Sequence, residues 1–86
     1  MNTLNDTATA RLIEEAERMA RGAIDGFAQG QKNIGIRYME GVSGMWQVAI
    51  YTIDPNSAAY AAIERAYNAA DLAHNRFYEA KRERNA

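Results

Sequence analysis

From Asn33 to Ile53 two runs of alternating apolar residues are joined by Gly41-Val42-Ser43-Gly44, and the stretches on either side read as helix. Side chains alternate between the faces of a strand, so the first run sets Ile34, Ile36 and Tyr38 against Asn33, Gly35, Arg37 and Met39. The second sets Trp46, Val48 and Ile50 against Gln47, Ala49, Tyr51 and Ile53. For both apolar sets to share a face of an antiparallel pair, the loop must hold an odd number of residues. Val42 and Ser43 at the centre of a type I turn, with Gly44 left-handed as a G1 bulge, meet that parity. The expectation is a hairpin with strands at about 33–40 and 45–53, Tyr38 beside Val48, Ile36 beside Ile50, and a buried face of Ile34, Ile36, Tyr38, Trp46, Val48 and Ile50.

Such a hairpin is marginal in water alone and needs helices on its apolar face. The first predicted helix covers about 6–29, with Asn5, Asp6 and Thr7 as candidate N-caps and Leu12, Ala16, Met19, Ala20, Ala23, Ile24 and Phe27 at helical spacing. Glu14/Arg18 and Glu17/Arg21 stand four residues apart on its opposite, solvated face. Gly22 and Gly26 are expected to offer a flat strip to a neighbouring element, and Gly30 to cap the helix. Asp54 followed by Pro55 reads as the N-cap and first residue of a second helix over about 55–82. That helix bears a stripe of Tyr60, Ile63, Tyr67, Ala70, His74 and Phe77. Beside it runs an alanine seam at Ala59, Ala62, Ala66, Ala69, Ala73 and Ala80, placed against the first helix or the sheet, or against a second copy. The last residues, 81–86, are expected to fray, their bases complementing the helix dipole.

The fold class expected is therefore α+β: one domain over residues 1–86, helix-strand-strand-helix, with both helices on the even-numbered face of the hairpin. At 86 residues a domain buries only roughly 60 to 65% of the surface of its unfolded chain. Self-association is expected on that ground, as a homodimer in which two hairpins form a four-stranded sheet.

Charge and composition narrow the function. Ten basic and eleven acidic residues leave a net charge of -1, without the basic excess of a dedicated nucleic-acid binder. No cysteine is present, so disulfides, thiolate metal sites and a cysteine nucleophile are excluded. The first residues carry no charged start or apolar core of a signal peptide, and no later run reaches the length of a membrane span, so a cytoplasmic protein is expected. His74 is the single histidine, and Asp71 and Tyr78 lie one turn to either side of it. A catalytic reading would make Asp71 the orienting group and His74 the base, but no nucleophile or anion hole accompanies them. The glycines fit neither a phosphate loop nor a dinucleotide fingerprint. No catalytic residue, metal or cofactor is assigned.

The remaining candidate is the odd-numbered face of the hairpin. Arg37, Met39, Gln47 and Tyr51, with Met45 nearby, mix a charge and an amide with flexible and aromatic groups of the kind enriched at protein interfaces. The expected function is a small non-enzymatic protein that acts by contact with another protein. In this general style, single-domain, cysteine-free and without a catalytic set, the chain resembles the small phage-encoded inhibitors of bacterial defence systems, anti-CRISPR proteins among them. No motif carries that resemblance, and no residue takes a role from it. Two rivals stand beside it: a nucleic-acid accessory protein using Arg37, Arg76, Lys81, Arg82 and Arg84 on phosphates, and a minor enzyme centred on His74.

Overall fold

The stretch expected to form the hairpin is a helix. The computed structural model describes residues 6–85, as α1 (Asp6–Ala28), α2 (Lys32–Thr52) and α3 (Ala58–Asn85). The α+β class, the hairpin and the four-stranded sheet are thus corrected to a three-helix bundle, with no strand among the described residues. Asn5, one of the candidate caps, lies outside the described residues. The helices expected over about 6–29 and 55–82 correspond to α1 and α3, the latter displaced by three residues at each end and continuing to Asn85, across the described part of the segment expected to fray.

Two periods coexist in residues 32–52, and they differ in reach. Strict alternation covers only Ile34/Ile36/Tyr38 and Trp46/Val48/Ile50. A three- and four-residue spacing runs through the whole segment as Gly35, Tyr38, Val42, Met45, Ala49 and Ile53, all of them buried or half-buried. One helix closes its backbone hydrogen bonds within itself, whereas an isolated two-stranded ribbon leaves two open edges. Packing against α1 and α3 then outweighs the strand preference of the isoleucines and valines. The expected core inverts in part. Val42, placed in a turn by the strand reading, is fully buried, while Val48 is 60% exposed and Ile34 and Ile50 are each 45% exposed. Gly44 is helical, and Gly30 alone among the described residues has positive φ, at 74°.

The bundle runs up, down and up. Gly26 lies against Gly35, Gly22 beneath the Tyr38 ring and Gly41 against Met19, which sets α1 and α2 antiparallel. Phe27 near the end of α1 meets His74 and Phe77 near the end of α3, at ring-centroid distances of 5.6 and 5.3 Å, which sets those two parallel. The resulting bundle measures 53 × 18 × 15 Å. Its buried set is mostly alanine: Ala16, Ala20 and Ala23 from α1, Ala49 from α2, and Ala59, Ala62, Ala66 and Ala70 from α3. Phe27, Val42 and Ile63 supply the bulk. The alanine seam of α3 is therefore taken up within the chain over most of its length, although Ala69 and Ala80 are exposed.

Short connections fix these directions. The Gln31 N–H donates to the Gly26 carbonyl (2.8 Å) and the Gly30 N–H to that of Phe27 (3.1 Å), closing α1 as a Schellman motif with Gly30 in the left-handed position. Between α2 and α3, the Asp54 carboxylate accepts from the Asn56 N–H at 2.9 Å and the Asp54 carbonyl from the Ser57 N–H at 2.9 Å. Asp54 therefore serves the turn, and the cap of α3 is Ser57, whose Oγ accepts from the Tyr60 N–H at 3.1 Å. This corrects the start expected at Pro55. Once the Asp54 carboxylate is engaged in its own turn, a hydroxyl three residues on takes the orphan amide. On the outer face of α1, Arg18 pairs with Glu15 rather than Glu14, and that hydrogen bond and charge raise the guanidinium pKa.

Candidate protein-binding face

α2 turns its 3-4 stripe inward and leaves an opposite stripe of Arg37, Glu40, Gly44, Gln47, Val48 and Tyr51, all exposed. Three of the four residues expected to bind a partner, Arg37, Gln47 and Tyr51, lie on this one stripe. Met39 does not: it is half-buried and packs against the core, because helical spacing separates it from residues that share its face in a strand. Met45 is half-buried as well.

The face carries features that the fold does not use. Tyr51 is 87% exposed, the most exposed of the large apolar side chains outside the core. Gly44 sits mid-helix with open space where its Cβ would be, unlike Gly22, Gly26, Gly35 and Gly41, each held against a neighbouring helix. An interior helical glycine costs about 0.5 to 1 kcal/mol against alanine, and no contact within the chain offsets it here. Along the α1 side of the stripe runs an apolar groove of about 690 Å³, lined by Leu12, Met45, Val48, Ala49, Ile53 and Ile63. Sequence reasoning found Arg37, Gln47 and Tyr51 on this face and missed Glu40, Val48 and Gly44, since the strand reading buried Val48 and put Gly44 in a turn. The signal for Gly44 was the seven-residue step Arg37, Gly44, Tyr51.

Apart from Arg37, the residues of the rival readings lie elsewhere. Arg76 and Arg84 edge a cleft of about 430 Å³ floored by Ile24, Phe27, Ala73 and Phe77, while Lys81 and Arg82 point to other sides of α3 at about 100° per residue. Arg37 is on α2, so the five bases do not form one patch. His74 packs among aromatic rings, 5.6 Å from Phe27 and 4.8 Å from Tyr78. Its Nδ1 lies 3.2 Å from Asn75 Oδ1, and the Asp71 carboxylate is approached by the Asn75 amide at 3.5 Å instead. The Asp-His-Tyr line is thus a set of tilted and edge-on ring contacts with an amide beside it, and Asp71 does not orient the imidazole. Among the described residues no helix is long and apolar enough to cross a membrane.

The chain matches no protein-family model, no curated protein and no solved structure. The functional reading therefore rests on the face itself.

Proposed function

We propose that the protein is a non-enzymatic binding protein that meets another protein through the outward face of α2. The observation that carries this is Tyr51, 87% exposed on a helix whose other side is core, in line with Arg37, Gly44 and Val48. Aromatic and arginine side chains dominate interface energetics, and an apolar groove beside them can take a partner's side chain. The resemblance to phage-encoded inhibitors of defence systems names one class of protein partner, and the capture described next tests it too.

A photo-crosslinking amino acid at position 51, and at the exposed Leu72 of α3 as a control, tests the reading in the source cell. The expected result is a protein adduct at 51 and none at 72; adducts at 72 alone would overturn it. Tyr51→Ala and Arg37→Ala should each cost about 2 kcal/mol or more of affinity for the protein captured. Their thermal midpoints should move little, because neither side chain is buried. Loss of stability in both variants with affinity unchanged would be the contrary outcome.

A further inference from the structure

The exposed stripe of α2 is self-complementary about Gly44. Arg37 lies seven residues before it and Tyr51 seven after, and such a line drifts by only about 20° per heptad on a straight helix. Consider a two-fold axis perpendicular to α2 at the level of Gly44. It lays a second α2 antiparallel on the first and keeps each flank of the stripe on the same side. Gly44 then meets its own copy, with no Cβ on either helix to hold the backbones apart. Arg37 falls level with the second copy's Tyr51, within the reach of a cation–π contact. Glu40 falls beside the second copy's Gln47, an acceptor against an amide donor. On the groove side, Ile34, 45% exposed, falls beside the second copy's Thr52 at the mouth of the apolar groove, and Val48, 60% exposed, falls beside the second copy's Gly41. Arg37, Glu40, Gly44, Gln47 and Tyr51 thereby find partners of suitable chemistry from one symmetry operation. Among the described residues the chain holds no ion pair for Arg37 or Glu40 and nothing packed over Gly44.

We infer that the protein taken by this face is a second copy of the chain, paired antiparallel through α2 on an isologous two-fold interface centred on Gly44. The inference rests on the reading of the α2 face as a protein-binding surface. It accounts for an exposed mid-helix glycine that the monomer does not need.

The absence of native cysteine makes disulfide trapping a direct test. Gly44→Cys places a thiol on the axis, in space that is open in the monomer. Mild oxidation at micromolar concentration should convert it to a covalent species of twice the 9.6 kDa chain mass. Arg37→Cys and Tyr51→Cys should dimerise poorly alone but cross-link when mixed. Leu72→Cys, exposed on α3, should stay monomeric, and Gly44→Arg should weaken self-association by about tenfold or more in sedimentation, with helical circular dichroism unchanged. Self-linking of Arg37→Cys and of Tyr51→Cys, each as fast as Gly44→Cys, would show parallel pairing and overturn the inference. So would Leu72→Cys linking at the rate of Gly44→Cys, or a wild-type chain that sediments as a monomer while Gly44→Cys does not link. The photo-adduct at position 51 separates the two claims. An adduct of any other mass there overturns the second copy and leaves the binding face standing, whereas adducts at Leu72 alone overturn both.

Discussion

Val42→Asp should leave the chain largely unfolded at room temperature, whereas Val48→Asp, six residues on, should fold with a nearly unchanged thermal midpoint. Val42 is fully buried in the cluster that includes Ala16, Phe27, Ala49 and Ile63. An aspartate there gives up the packing of an isopropyl group and either buries a carboxylate without a partner or must take up a proton to avoid doing so. The combined cost is about 4 kcal/mol or more. A domain of this size has roughly 4 to 13 kcal/mol of stability in all, at 0.05 to 0.15 kcal/mol per residue, and a core built mainly of alanine sets this one toward the lower end. Val48 is 60% exposed, so the same change there stays within about 0.5 kcal/mol. Thermal melts followed by circular dichroism decide the matter. Comparable midpoints for the two variants would mean that Val42 is not the interior residue of α2.

Gly26→Leu should be nearly as damaging, for the opposite reason. A Cβ at Gly26 would lie 2.7 Å from the Gly35 backbone nitrogen and 2.9 Å from its Cα, and backbone cannot rotate aside as a side chain can. The crossing cannot slide either, since the Gly26 carbonyl is held by the Gln31 N–H at 2.8 Å in a turn of only three residues. Overpacking costs about 1 to 3 kcal/mol when a core can adjust, and the rigid contact here puts the expected loss at about 3 kcal/mol or more. At roughly 4 to 8 °C per kcal/mol for a small domain, the midpoint should fall by well over 10 °C. Gly41→Ala is the control. Its Cβ meets the Met19 thioether, a flexible group that gives way, and a melt should show little loss. Equal losses in the two variants would remove the α1–α2 crossing from among the constraints on the fold.

α1 and α3 were legible because each carries one period over more than twenty residues with punctuation at its ends. Gly22, Gly26 and Gly30 were legible for the same reason: a glycine every fourth residue in a helix asks for a close neighbour or a cap, and α2 and the Schellman turn supply them. α2 was misread because its sequence contains both periods. Ile34-Gly35-Ile36-Arg37-Tyr38 alternates cleanly, Gly41 and Gly44 resemble the ends of a turn, and β-branched residues abound. What decides between the readings is tertiary: two alanine-rich helices are able to approach closely, and Val42 completes their core while the alternating pattern would leave it outside. The residues expected to meet a partner stay together in part, for a geometric reason. Arg37, Gln47 and Tyr51 share a face at both periods, but Met39 does so only at a period of two. Gly44 could be recognised as a feature of the face only after its surroundings were known.

The most direct measurement is the sign of the stability change in Gly44→Ala, taken at a concentration at which the chain sediments as a monomer. In a continuous α2 with open space at this position, alanine relieves the conformational freedom of glycine and meets nothing, so the variant should be more stable by about 0.5 to 1 kcal/mol. In a hairpin the same residue would occupy a left-handed bulge, and alanine would destabilise the chain by about 1 to 2 kcal/mol. A raised midpoint is the expected result, and a lowered one would contradict both the helix and the open face it presents.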